Sequence, residues 1–254
     1  MRSNITGVEK TYQTAVALGE VPGATTWNKW GFNQDVDSAA EETVWSVGGV
    51  LSPLSSAETL DVVSTSTDDD GDPAGTGAQS VIIYGVDANY DDQTEVVTLN
   101  GTTAVTTTNT WLGVNRIAVY LAGSGQANAG TISATASTAA TVQAEVPAGL
   151  GSTQHAFFFS AAGKTALADW LWLNINKIAG GGSPRVTVRG VVTSLVSGAQ
   201  YEVFDVTIDT AVENTVELKP SHPFVIGEKS LLEFRASTDT NNTIVNCRFS
   251  LIQV

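Results

Sequence analysis

The stretch TDDDGDPAGTGA, residues 67–78, holds four carboxylates and three glycines within twelve residues. Oxygen ligands at this density are typical of Ca²⁺ sites, and a helix-flanked calcium loop places them at positions 1, 3, 5 and 12 around a glycine at position 6. With Gly71 as that glycine, Ser66 falls at position 1 and Gly77 at position 12, where a carboxylate is required. The spacing favours a solvated loop between two strands, with an irregular calcium site within residues 68–72 as the alternative.

The other reactive groups also fail to form a catalytic pattern. A phosphate-binding glycine loop lies between a strand and a following helix, whereas strand-like sequence follows Gly75 and Gly77. The chain has no Gly-x-Ser-x-Gly elbow, and its two histidines, His155 and His222, are expected to be packed or exposed rather than paired with a nucleophile. We therefore expect no catalytic residue, no metal site and no cofactor.

Cysteine use is equally restrictive. Cys247 is the single cysteine, so no intrachain disulfide can form. It lies in VNCRFSL, where alternate residues are apolar, and the pattern predicts a buried structural thiol.

Net charge argues against a nucleic-acid partner, and the distribution of apolar residues argues against a membrane partner. The formal net charge is −14, with only 12 Lys and Arg, and such a field repels nucleic-acid phosphates. No run of 18 apolar residues occurs, and no apolar segment follows Arg2, so the chain is expected to be neither membrane-spanning nor exported. We expect no nucleic-acid partner and no membrane partner.

The elements that must position any site are strands. Short β-branched runs separated by Gly, Pro, Asn and Asp recur from about residue 57 onward, without a 3.6-residue apolar period. This predicts an all-β fold, an antiparallel β-sandwich or jelly roll of one or two units. Asn100-Gly101 predicts a two-residue hairpin turn, and a second hairpin is expected around Ala162-Gly163.

Alternation predicts which strand faces are buried. In SLLEFRAS the apolar Leu232, Phe234 and Ala236 share one face. Glu233 and Arg235 lie on the other face, which we expect to be solvated.

Composition divides the chain into three parts. Residues 134–152 are small and polar and suggest a boundary, giving an N-terminal anchoring arm over 1–56, a β-sandwich unit over 57–147 and a C-terminal, jelly-roll-like unit over 148–254. The arm is expected to place its aromatics either on the chain's own sandwich or on a neighbouring molecule. These candidate interface residues are Trp27, Trp30, Phe32 and Trp45. In the second case a chain without residues 1–50 would still fold.

A further aromatic pair lies in ADWLWLN. Trp170 and Trp172 are two apart and point to the same face of a strand. They could stack on a sugar, although such a pair more often fills a sandwich core.

The order of several segments resembles an uncharacterised family of structural proteins from tailed bacteriophages, notably marine ones. The resemblance begins with Trp30-Gly31-Phe32-Asn33, Glu42-Thr43-Val44-Trp45 and LSSAETLDVVSTS. It continues through AGTGAQSVIIYGVDANYDDQTEVVTLNGTTAVTTTNTWLGVNRIAVYLAGSGQANAGTI and ends with VPAGLGSTQHAFFFSAAGKTA and GEKSLLEFRASTDTNNTIVNCRFSLIQV. It covers nearly the whole chain and implies a virion component without catalytic residues.

Together these features predict a non-enzymatic virion protein. We expect a capsid decoration or cement protein, made in the host cytoplasm, that forms a dimer or trimer and contacts other virion proteins such as the major capsid protein. One alternative is a tail-associated fibre, spike or adhesin that binds a host glycan or protein. Another is a carbohydrate-active enzyme or binding module outside any virus, built on Trp170, Trp172 and nearby acids.

Overall fold

The computed structural model describes residues 3–5, 8–38, 40–177 and 182–254. Among them one short helix occurs, α1 (Tyr12–Ala17), whose first turn is capped by the Thr11 hydroxyl accepting from the Thr14 amide at 3.2 Å. The strands are β1 (Ser3–Ile5), β2 (Val8–Lys10), β3 (Thr25–Val36), β4 (Glu42–Thr43), β5 (Leu60–Ser64), β6 (Ala78–Val86), β7 (Asp92–Thr98), β8 (Val105–Thr106), β9 (Gly113–Ala122), β10 (Ile132–Ala136), β11 (Val142–Val146), β12 (Phe157–Phe159), β13 (Ala166–Lys177), β14 (Arg185–Ser194), β15 (Gln200–Asp209), β16 (Thr215–Leu218), β17 (Phe224–Ile226), β18 (Ser230–Thr238) and β19 (Thr243–Gln253). The prediction of an all-β, antiparallel protein is confirmed.

Two sheets form what we call the first sandwich. Their strand orders are β11-β10-β5-β8 and β7-β6-β9. Apolar side chains of both sheets meet in the first core, whose largest fully buried members include Trp111, Leu60, Ile83, Ile117 and Ile132. Their burial stabilises this unit because each removes apolar surface from water.

Two longer sheets form the second sandwich. One has the order β12-β18-β14-β15, with β4 also on β18, and the other has the order β16-β13-β19-β3, with β17 also on β13. Their facing side chains form the second core, which includes Phe158, Leu173, Ile175, Phe234 and Phe249. Cys247 belongs to this core and is fully buried, as the sequence predicts.

The chain enters the second sandwich, leaves it and returns. Strand β3 pairs with β19 over nearly its whole length, from Thr25 opposite Gln253 to Val36 opposite Thr243. Strands β5 to β11 then build the first sandwich before the chain re-enters the second at β12. An N-terminal arm is therefore not confirmed for residues 25–36, which are a strand of the second sandwich.

The expected boundary region is also structured. Residues 134–152 contain the end of β10 and all of β11, which pair with each other from Ile132 opposite Val146. The small residues that suggested a linker, such as Ala134 and Ala144, are fully buried in the first core.

Strand β12 joins the two cores because its three phenylalanines alternate in direction. Phe157 and Phe159 lie in the first core, whereas Phe158 lies in the second. All three are buried. A single short strand is thus shared by both hydrophobic cores.

Neither predicted hairpin forms. Strand β7, before Asn100-Gly101, pairs with β6, and strand β8, after it, pairs with β5 in the other sheet. Asn100 and Gly101 pair with the acidic loop instead. The Gly101 amide donates to the Asp69 carbonyl at 2.9 Å, and Asn100 forms a β-bridge with Asp70. Around Ala162-Gly163 the flanking strands β12 and β13 belong to opposite sheets.

Candidate functional site

The candidate site is the outer face of the β16-β13-β19-β3 sheet, which we call the aromatic face. Along β13, Leu171 and Leu173 point into the second core, so Trp170 and Trp172 point outward and are half-buried. The two tryptophans share a face, as predicted. The expectation that they fill the core is wrong, because the leucines take the inner positions.

One row of side chains crosses all four strands of this sheet. Glu217 on β16 is the register partner of Trp172, Trp172 of Arg248 on β19, and Arg248 of Trp30 on β3. Directly opposite side chains on one sheet face lie close enough to interact. The row therefore forms a contiguous surface rather than four isolated residues.

The Arg248 guanidinium lies between two indole rings. Its central carbon is 4.9 Å from the Trp30 ring centroid and 5.3 Å from that of Trp172. Each exposed cation–π contact of this kind contributes about 0.5–1 kcal/mol. Asn246, in the next row, accepts from Trp30 Nε1 at 3.5 Å. These contacts hold the large rings in fixed positions on the surface.

The other end of the row is polar and charged. Trp170 Nε1 donates to Glu217 Oε1 at 2.8 Å, and Lys219 Nζ lies 2.8 Å from the same oxygen. Hydrogen bonds from Lys219 and Trp170 lower the pKa of Glu217 below its usual value. Glu217 therefore acts as an acceptor that orients the Trp170 ring rather than as a proton donor.

A groove of about 620 Å³ runs beside Trp170. Its lining includes Tyr12 from α1, Asp169, Lys219 and Ser250. The Ser250 hydroxyl donates to Asp169 Oδ1 at 2.8 Å. The groove thus combines an aromatic wall with hydrogen-bonding groups of both kinds.

The four predicted interface residues separate into two pairs. Trp30 and Phe32 lie on the aromatic face and are half-buried. Trp27 lies on the opposite side of β3 and packs against Phe158, with ring centroids 5.4 Å apart. Trp45 is 3% exposed within the first core, where its Nε1 donates to the Gly48 carbonyl at 2.9 Å. The last two therefore pack on the chain's own cores.

The acidic loop is more ordered than the sequence suggests. Asp68 and Asp72 are exposed, but Asp69 is fully buried and accepts four hydrogen bonds. Among the described residues no group of three or more His, Cys, Asp or Glu side chains could hold a metal ion. Asp69 thus fastens the loop, and the expectation of a fully solvated loop is wrong for this residue.

The two histidines lie in different surroundings. His155 is buried and stacked on Phe157 at a centroid distance of 4.0 Å, and His222 is exposed with Nδ1 3.2 Å from the Ser221 hydroxyl. Glu233 differs from expectation: it is buried, because the Thr43 hydroxyl and the Arg235 guanidinium both donate to its carboxylate. Sequence reasoning missed Arg248, whose position between two indoles depends on strand register.

No helix within the described ranges has the length and apolar character needed to span a bilayer. Comparisons with protein-family models, with curated proteins and with solved structures find nothing that matches this chain.

Proposed function

We propose that this chain is a non-enzymatic structural protein of a tailed-phage virion that acts through protein–protein contacts, as a capsid decoration or cement protein. The observation that carries the proposal is the row of Trp172, Arg248 and Trp30 on the aromatic face. Trp and Arg are enriched among the residues that dominate binding energy in protein interfaces.

The strand order of the second sandwich supports this proposal. Without the short side strands β4 and β17, this unit has eight strands, which we number 1 to 8 in chain order: β3, β12, β13, β14, β15, β16, β18 and β19. In these numbers its two main sheets have the orders 1-8-3-6 and 2-7-4-5. We infer a jelly roll from this order, since eight strands in two sheets that exchange strands by Greek-key connections define that architecture. Jelly rolls are found in viral capsid proteins and in lectins.

The aromatic face suits a protein partner for a physical reason. Trp30 and Trp172 are held in place by Arg248, so little side-chain entropy remains to be lost when a partner covers them. Contacts between copies of one chain repeat by symmetry, and we infer a dimer or trimer that presents this face to the capsid or to itself.

The test is the composition of purified virions. A decoration protein should be present in hundreds of copies per particle by quantitative mass spectrometry, and a fibre protein in tens. Replacing Trp30→Ala together with Trp172→Ala should lower the copy number at least about tenfold, as loss of two interface hot spots does. Absence of the wild-type chain from purified virions would refute the proposal.

The matched control replaces two exposed aromatics elsewhere. Tyr120 and Tyr201 are 64% and 50% exposed and lie on β9 and β15. The Tyr120→Ala/Tyr201→Ala variant should retain the wild-type copy number. An equal loss in both double variants would indicate a general folding defect instead of a specific contact.

A second candidate function is glycan binding by a tail-associated adhesin. The groove beside Trp170 favours it, because sugars stack on aromatic rings and hydrogen-bond to groups such as Asp169 and Ser250. A glycan array with the wild-type chain and with Trp170→Ala tests this function. Binding that the variant loses would favour the adhesin, and no signal from the wild-type chain would exclude it.

A further inference from the structure

A cavity of about 220 Å³ lies between the two sandwiches. Its walls come from β3, β9 and residues 150–155. Three basic side chains from these three segments line it: Lys29, Arg116 and His155.

Lys29 is 5% exposed, which is rare for lysine unless it is paired with an acid. Its Nζ donates to the backbone carbonyl oxygen of Asn115 and lies 5.7 Å from the centroid of the Phe157 ring. Among the described residues that carbonyl is its hydrogen-bond acceptor, so the ammonium form has two further N–H groups for another acceptor. Burial, and then the charge of Arg116, lower its pKa well below the usual value.

Arg116 brings a second positive charge to the same cavity. Its Nη2 donates to the Asn28 carbonyl at 2.5 Å, and its guanidinium carbon lies 5.3 Å from the Trp27 ring centroid. None of the residues that line the cavity in the described chain carries a carboxylate. The Arg116 guanidinium therefore has no carboxylate partner among the lining residues, in a chain whose net charge is −14.

His155 adds a hydrogen-bond acceptor. Its Nε2 is 2.9 Å from the Asn115 carbonyl oxygen, which can only accept, so Nε2 carries the proton of the neutral ring. The lone pair is then on Nδ1, which is buried and has no hydrogen-bond partner among the described residues. A buried polar atom without a partner is costly and calls for an explanation such as a bound ligand.

We propose that this cavity binds a small oxyanion that carries a hydroxyl group, with inorganic hydrogen phosphate as the simplest member of the class. The anionic oxygens accept from Lys29 and Arg116, and the hydroxyl donates to Nδ1 of His155. An anion beside Lys29 favours its charged form and so opposes the effect of burial, while His155 accepts in its neutral form. It also offsets the cost of burying Lys29 without an acid.

Isothermal titration calorimetry of the full chain with inorganic phosphate, at constant ionic strength and neutral pH, tests the proposal. We expect saturable binding with one site per chain. Sulfate lacks a proton to donate at this pH and should bind at least about fivefold more weakly, since one hydrogen bond to His155 is lost. The variant His155→Phe should bind phosphate and sulfate with equal affinity.

Variants of the basic side chains Lys29 and Arg116 complete the test. Lys29→Met should lower phosphate affinity at least about tenfold, as loss of a charge-assisted hydrogen bond does. Lys219→Met removes an exposed lysine outside the cavity and should change affinity by less than about twofold. If Lys29→Met does not fold, Arg116→Gln replaces it with the same expectation. Unsaturable binding, unchanged affinity in the cation variants, or equal wild-type affinity for sulfate and phosphate would overturn the proposal.

Discussion

The amide nitrogen of Ala129 lies 2.7 Å from Oδ1 of Asp69, sixty residues earlier in the chain. The same oxygen accepts from the Ala78 amide at 2.7 Å, and Oδ2 accepts from the Ser64 hydroxyl at 2.6 Å and the Gly130 amide at 2.8 Å. One buried carboxylate therefore ties together the acidic loop, the start of β6 and the segment before β10.

We predict that Asp69→Asn lowers the free energy of unfolding by about 3–5 kcal/mol, because an amide nitrogen would face backbone N–H donors and the charge-assisted bonds would be lost. Chemical denaturation measures the change. Asp68→Asn, one residue earlier and exposed, should alter stability by less than about 0.5 kcal/mol. Equal effects in the two variants would contradict the role given to Asp69.

The second prediction concerns pH. Burial, followed by the charge of Lys29, lowers the pKa of His155 well below its ordinary value of about 6.5. The unfolded chain therefore binds more protons than the native chain just below pH 6.5. The free energy of unfolding should fall as the pH falls through that range, with a slope from this residue of up to about 1.4 kcal/mol per pH unit.

Denaturation at several pH values, in buffer free of phosphate and sulfate, measures this slope. The variant His155→Phe should reduce it by the stated amount. An identical pH dependence in the wild type and His155→Phe would show that the buried ring does not control it.

The third prediction concerns the aromatic face. A double-mutant cycle with Arg248→Gln and Trp30→Leu should give a coupling energy of about 0.5–1 kcal/mol, the value of an exposed cation–π contact. A cycle between Arg248→Gln and Tyr201→Leu, on different sheets, should give a value near zero. A coupling energy near zero for Trp30 as well would mean that Arg248 does not hold the ring.

The fourth prediction concerns the first 36 residues. A chain that begins after Val36 lacks β3, so ten residues of β19 lose their partner on that edge and the second core loses part of its cover. We expect loss of the near-ultraviolet circular dichroism signal of the second sandwich and aggregation in sedimentation experiments. A chain that begins after Lys10 keeps β3 and should retain the native spectrum. Native behaviour of the shorter chain would restore the arm hypothesis.

The strand content could be predicted because it depends on local sequence. Short β-branched runs bounded by Gly, Pro and Asn predict strands wherever they occur, and the alternation around Cys247 correctly predicts its burial. The partner of each strand could not be predicted in the same way. A turn forms one residue later, with Gly101 at φ 56° and the Thr103 amide donating to the Asn100 carbonyl, and bonds to the acidic loop direct the chain into the other sheet.

The candidate site was only partly accessible from the sequence. The shared direction of Trp170 and Trp172 follows from their spacing. Whether that direction is toward the core or toward water depends on which face of the sheet packs against the opposite sheet. Leu171 and Leu173 alternate with them and fit the core equally well by composition. The position of Arg248 between two indoles requires the register of three strands, which no local pattern supplies.

The pairing of β3 with β19 sets the order in which the protein can fold on the ribosome. Trp30 and Asn246, which touch in the finished sheet, are 216 residues apart. At about 5–20 residues per second, synthesis of that interval takes about 10–40 s. The first sandwich can fold during this time, while β3 still lacks its partner strand and has an exposed edge. Chaperones that protect exposed strand edges should therefore have their largest effect on the yield of this protein during that interval.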